Sequence, residues 1–162
     1  MFDRIETLDH TLLLGRYKQM SYINNQTAAL WQGFMPLKKK ISNLKSRNLY
    51  AMQVYAEKPN FINFDPSVKF IKWAAAEVND HSNIPENLYP YVIEGGLYAI
   101  FIHRGTPDQF QQTFGYIFTH WLPKSAYEMD HREHFELLPN NYRPDDPEAT
   151  EEIWVPIISK KR

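Results

Sequence analysis

One carboxylate stands among apolar neighbours: Glu136 lies in Phe135-Glu136-Leu137-Leu138, a short run with strand composition. Buried charge is costly unless it is paired or put to use, so Glu136 is the first candidate for chemistry. In an aromatic cleft, burial would raise its pKa and a bound cation would lower it, which suits either a cation anchor or a general acid or base. Alternation leaves a second reading open, because His134, Glu136 and Leu138 share one strand face and Glu136 can equally face water. The cluster His131-Arg132-Glu133-His134 lacks the i, i+4 histidine pair of a helical zinc site and has no evident third ligand, so no metal is expected. No Ser sits in a G-x-S-x-G elbow, and Gly95-Gly96 belongs to neither a dinucleotide nor a Walker pattern. Gly95-Gly96 therefore reads as a turn, and no cofactor is expected.

The elements that must position Glu136 follow from pattern and punctuation. Tyr98 to His103 reads as a strand, and Thr106-Pro107-Asp108-Gln109 opens a helix with an N-cap, a Pro at the first position, an acid at the positive end and a capping-box Gln. Phe110, Phe114, Ile117, Phe118 and Trp121 then form one apolar face, and Pro123 should end the helix. Strands are predicted over His134 to Leu138 and Glu152 to Ile158, joined by an exposed loop, with Pro156 arguing for an edge or a bulge. In the first half, a strand is predicted over residues 8 to 22 and a helix over about 25 to 36, capped by Asn24 or Asn25 and stopped or kinked at Pro36. Leu49 to Ala56 and Phe70 to Val78 are further strands, although Ala74 to Ala76 keep a helix open as an alternative for the second. The basic residues Lys38 to Lys40, Lys45 and Arg47 read as a solvated connector.

Each half thus gives strand, helix, strand, strand. One such unit cannot cover both its helix and its sheet, whereas two can pair edge to edge. The expected fold is α+β: duplicated βαββ units, about 8–78 and 91–158, forming one antiparallel sheet with two helices on one face and a ligand cleft at the repeat seam.

Composition narrows the classes of function. The chain has 162 residues and suits a single domain spanning 1–162. Its net charge of −1 leaves no basic footprint, so direct nucleic-acid binding is not expected. It contains no Cys, and its acidic start and short apolar run Leu12 to Leu14 give no export or membrane signal. A cytoplasmic location is the expectation. Ten Phe, ten Tyr and four Trp make aromatic residues 15% of the chain, which suits pocket linings as well as cores.

The ordered set Gly96-Leu-Tyr-Ala-Ile-Phe101, His103, Gly105, Trp121-Leu-Pro123, Tyr127-Glu128, His134-Phe-Glu136 and Glu152-Ile-Trp-Val-Pro-Ile157 resembles the GyrI-like small-molecule-binding domains. These domains also serve as effector-binding domains of AraC-type and MerR-type transcription regulators. The resemblance covers most of the chain and implies a cleft at the repeat seam, lined by aromatics around a central acid that would be Glu136. The regulators carry a DNA-binding module before this domain; the resemblance implies that the domain takes up the 162 residues, and a standalone form is the expectation. Standalone members include proteins that counter toxins or antibiotics, and hydrolases of reactive cyclopropane-bearing compounds.

Candidate walls are Tyr98, Phe118 and Trp121 from the second half and Tyr17, Trp31, Tyr55 and Trp73 from the first; each has core packing as its other reading. The leading expectation is non-covalent binding of a small lipophilic or cationic molecule, with Glu136 as electrostatic anchor. The alternatives are a hydrolase of strained rings, with Glu136 catalytic, and a module that acts on a separate protein partner such as a toxin or gyrase.

Overall fold

A computed structural model describes residues 1–143 and 145–161. The elements are β1 (Phe2–Leu8), β2 (Thr11–Met20), α1 (Thr27–Lys38), β3 (Leu44–Val54), β4 (Phe70–Val78), β5 (Tyr89–Ile93), β6 (Gly96–Arg104), α2 (Pro107–Tyr116), a π-helical turn (Ile117–Trp121), α3 (Leu122–Lys124), β7 (Tyr127–Met129), β8 (His134–Leu138) and β9 (Thr150–Ser159). All the strand pairings are antiparallel, in the order β1-β6-β9-β8-β3-β4-β2-β5, with β7 added to β9.

Local chemistry explains most boundaries. The Asn25 side chain accepts a hydrogen bond from the Thr27 amide at 2.9 Å and starts α1. At α2 the Gln109 Oε1 accepts from the Thr106 amide at 2.8 Å, completing the capping box. Contrary to what the spacing predicts, Pro36 and Pro123 do not terminate their helices; each sits inside a last turn, which runs on to Lys38 and Lys124. The segment with three alanines is strand, because Ala74 and Ala76 lie under Leu30 and Phe34 of α1, where small side chains let the helix approach, while Ala75 faces the other way.

The order of strands reveals an exchange between the halves. The first unit contains β2, α1, β3 and β4, and the second contains β6, α2, β8 and β9. The strand leading into each unit pairs with the other unit: β1 lies on β6, and β5 lies on β2. The two units meet at the β3–β8 ladder, where Ala51 pairs with Glu136 and Gln53 with His134.

The sequence predicts no strand over β1, which ends at Leu8 where the first predicted strand begins, or over β5, which falls between the predicted strands that end at Val78 and start at Tyr98. A register shift between Phe2 and Arg4 breaks the period of two in β1, and β5 tolerates Pro90 because it is an edge strand. Pro156 departs from expectation in the other direction. It pairs with Tyr98 inside the sheet, at the point where β9 changes partner from β8 to β7 and the missing amide leaves no ladder bond broken.

Both helices cover one face. Leu30 and Phe34 pack on Leu14, Ala74 and Val78, while Ile117 and Phe118 pack on Ala99, Phe101, Ile153 and Val155. The opposite face carries Leu13, Met52, Trp73, Tyr98, Ile100, Phe135 and Trp154, all buried, with no helix over them among the described residues. The sheet itself closes over this second core. Tyr91 of edge strand β5 donates its hydroxyl proton to Glu133, just ahead of β8, at 2.7 Å. The Arg132 guanidinium bonds the carbonyls of Gly95, Leu97 and Ile157 and lies 4.7 Å from the Tyr98 ring centroid.

Gly15 makes the closure of the first unit possible. It pairs with Ala75, and a Cβ added there would stand 2.7 Å from the Ala75 Cβ and collide with the Ala74 carbonyl. Gly15→Ala should therefore cost about 1–3 kcal/mol, the usual penalty of overpacking. An unchanged midpoint in urea unfolding would contradict this packing account.

Candidate ligand-binding site

Where the two helices stand apart over the seam, they leave an open cavity of about 500 Å³. Its floor is sheet: Glu136 from β8, Lys72 and Phe70 from β4, and Glu151 from β9. One wall is α2, through Phe110, Gln111, Phe114 and Gly115. The other comes from the start of the first helical segment, with Tyr22, Asn25 and Thr27, and from the β3–β4 connection, with Phe61, Phe64 and Pro66. Tyr142 closes it from the β8–β9 connection. A narrow crevice of about 10 Å³ continues beneath, between Gln53, Tyr55, His134 and Phe61.

Strand alternation decides what faces this space. In β8, Glu136 and His134 point to the helix side, and Phe135 points to the second core. Ala51 and Ala74 stand beside Glu136 in successive strands, and their short side chains leave the floor low. The wall aromatics hold one another: Phe61 lies 4.6 Å from Phe118 and 5.0 Å from Phe114, and 5.5 Å from the His134 ring.

The floor is a cluster of charges. Glu136 is only 14% exposed; its Oε1 accepts from Gln53 Nε2 at 3.2 Å and lies 3.9 Å from the Lys72 ammonium, itself 12% exposed. Burial pushes the Glu136 carboxyl up to about 7, with Lys72 and Gln53 opposing that rise and Glu151 adding to it. Burial also raises Glu151, against the pull of Tyr142 and Lys72. Beneath them His134 is 5% exposed, and its Nε2 has no partner among the described residues. Burial, together with the charges of Arg132 and His131, depresses His134 to about 3, so its ring is neutral at physiological pH.

Of the residues singled out from the sequence, Glu136 is on the floor and Tyr55 in the crevice. Phe118 is buried behind Phe61 and Phe114, supporting the wall without lining it. Trp121 points away and stacks on Phe2 at 5.0 Å, and Trp31 packs edge-on to Phe34 at 5.9 Å. Tyr98, Tyr17 and Trp73 lie on the opposite face of the sheet. Tyr98 donates to the Glu133 carbonyl at 2.9 Å, and Tyr17 packs at a tilt against Trp73, 4.9 Å between ring centroids. In β6 it is Ala99, Phe101 and His103 that face the helices, so period-two alternation excludes Tyr98 from the cavity.

Residues that the sequence reading passed over include Tyr22, Lys72, His103, Tyr142 and Glu151, and the two phenylalanines in Phe61-Ile62-Asn63-Phe64. Two large aromatics in an otherwise polar turn were the signal available for the last pair. Lys72 offered a similar one, as a charge within the apolar run Phe70-Ile71-Lys72-Trp73.

Residues 1–158 match the profile of the GyrI-like small molecule binding domain. The chain belongs to this family. Among curated proteins, this GyrI-like domain is 26% identical over 129 residues to the transcriptional regulator BrlR of Pseudomonas aeruginosa. The match covers 79% of the chain but only 45% of BrlR, so the chain spans less than half of that relative. Solved structures share the fold. SAV2435 bound to tetraphenylphosphonium matches with a TM-score of 0.71 at 15% identity, over 96% of this chain and 93% of that one. The C-terminal domain of EcmrR matches with a TM-score of 0.71 at 14% identity, over 97% of both chains. A hydrolase encoded by lin2189 from Listeria innocua matches with a TM-score of 0.61 at 9% identity, over 96% of this chain and 91% of that one. No helix among the described residues is long and apolar enough to cross a membrane.

The two buried titrating groups impose opposite pH dependences. Glu136 holds its proton in the folded state up to about pH 7. The unfolded chain releases that proton near the ordinary carboxyl value of 4.5, so this contribution to stability falls as pH rises from 4.5 to 7. His134 does the reverse, since the unfolded chain takes up a proton below the ordinary imidazole value of 6.5 that the folded chain refuses until about 3. Glu136→Gln removes the first effect alone. It should match the wild type near pH 4.5, gain on it up to pH 7 and hold an advantage on the order of 3 kcal/mol above that. A stability difference between the two proteins that does not change with pH would contradict a buried Glu136.

Proposed function

We propose that this GyrI-like domain binds a small lipophilic molecule carrying a cationic or hydrogen-bond-donating group, with Glu136 as the electrostatic anchor and the aromatic walls as the apolar contact. The observation that carries this reading is the position of Glu136, nearly buried on the floor of a cavity whose walls are Tyr22, Phe61, Phe64, Phe110 and Phe114. A cavity of about 500 Å³ is within the size range of small-molecule sites. Aromatic faces attract cations, and a carboxylate in a low-dielectric setting attracts them strongly. The ligand-bound state of SAV2435, which shares the fold, supports the same chemistry. Such binding would serve effector sensing or sequestration, and BrlR is a regulator related to the chain by sequence.

A second reading has its own observation. Glu136 and Glu151 share one cavity, both with raised pKa values, and Glu136 is poised near neutrality, where a carboxyl can give or take a proton. That suits a hydrolase of electrophilic small molecules, and the lin2189 protein, which shares the fold, is named a hydrolase.

Calorimetric titration with tetraphenylphosphonium at pH 8 tests the binding reading. Glu136→Gln should weaken binding by about 5-fold to 150-fold, corresponding to roughly 1–3 kcal/mol for a charged contact. Equal affinities would remove the anchor role. Turnover of a strained electrophile by the wild type, lost in Glu136→Gln with the fold intact, would move the assignment to the hydrolase.

A further inference from the structure

Lys72 does not fit a pocket built only for cations. It lies on the cavity floor, in the strand next to Gln53, and is 12% exposed. Its only ionic partner among the described residues is Glu136, at 3.9 Å, which is too long for a hydrogen bond. No hydrogen bond from the ammonium to protein is found among the described residues, although an ammonium carries three donors. Glu136 is similarly half-used: Oε1 accepts from Gln53, while Oε2 has no protein donor among the described residues. An ammonium and a carboxylate oxygen thus stand side by side on the floor, both open to the same cavity, with Glu151 and Tyr142 beyond.

Resting on the binding function proposed above, we propose that Lys72 determines specificity, making the floor a two-point site that selects amphoteric aromatic molecules. The ligand's ammonium or N–H donor would face Glu136 Oε2, and its carboxylate or comparable acceptor would face Lys72 Nζ. A simple cation meets a carboxylate whose charge Lys72 already offsets, and it approaches a like charge within a few ångströms. An acceptor beside the cation turns that repulsion into a contact and satisfies donors that would otherwise remain unpaired in a nearly dry site. The same argument disfavours a pure anion, which would meet both Glu136 and Glu151. Burial of Glu136, its Lys72 neighbour and the small side chains of Ala51 and Ala74 place both contacts on one floor, so a single ligand can meet the two together.

Two dyes that differ by one methyl ester test this. Rhodamine 110 carries a carboxylate beside its cationic ring system, and rhodamine 123, its methyl ester, is a cation. Fluorescence anisotropy at pH 8 should show the wild type binding rhodamine 110 at least fivefold more tightly than rhodamine 123. Lys72→Met, nearly isosteric, should reverse that order by strengthening rhodamine 123 and weakening rhodamine 110, and Lys72→Arg should retain the wild-type preference. Thermal midpoints close to wild type establish that each variant is folded; should Lys72→Met fail this, Lys72→Gln replaces it. A dye ratio unchanged by loss of the Lys72 charge overturns the proposal. If Glu136→Gln still weakens rhodamine 123 in that case, the binding function stands and only the role of Lys72 falls. Binding of neither dye to any variant, or dye binding indifferent to Glu136→Gln, overturns both.

Discussion

The structure depends on an exchange of leading strands. β1 completes the sheet of the second unit and β5 that of the first, so each unit's outer edge is supplied by chain that belongs to the other. The direct ladder between the units, β3 with β8, is short, and by itself it would be an exposed junction of two half-covered sheets. The exchange brings the outer edges of the sheet together through the two-residue links Asp9-His10 and Glu94-Gly95, and Arg132 bonds the main chain within the second link at Gly95, just after it at Leu97 of β6, and at Ile157 of β9. The sheet therefore curls around an aromatic core of its own, and the seam is held from both ends.

A seam fixed in this way can carry charges that a flexible junction could not. Glu136, Gln53, Lys72 and His134 sit on three adjacent ladder strands, so their spacing is set by backbone hydrogen bonds and not by their own attraction. Their mutual contacts are correspondingly incomplete: the Glu136–Lys72 separation is long, and the His134 Nε2 is unpartnered. Left alone, such a cluster destabilises the fold, since each group has lost water without full replacement. The raised carboxyl of Glu136 and the depressed imidazole of His134 are the measure of that cost. Polar groups held in place but incompletely satisfied are what a preorganised recognition site requires.

Much of this was legible in the sequence. The repetition of strand, helix and two strands, the capping box of Thr106 and Gln109, and the anomaly of Glu136 are all local signals, and the structure carries each of them. The face of the sheet on which a residue falls is not local. Tyr98, Tyr17 and Trp73 are plausible wall residues until the helices are placed, and then alternation assigns them to the far side. Lys72 and Glu136 are separated by 64 residues in the chain, and nothing in either neighbourhood announces the other. Of the strands missed, β1 and β5 carry a bulge and a proline that disrupt the expected period, and β7 is only three residues long.

The division of the cavity between sheet and surroundings has a consequence for how such a protein can change over evolutionary time. Phe61, Phe64, Phe110 and Phe114 stand on a loop and a helix face and lean chiefly on one another, so their sizes can drift together while the ladder beneath them stays intact. The floor has no such latitude, because each of its polar residues occupies a register position between neighbouring strands. Lineages descending from this chain would explore new ligand shapes readily and new ligand charges slowly.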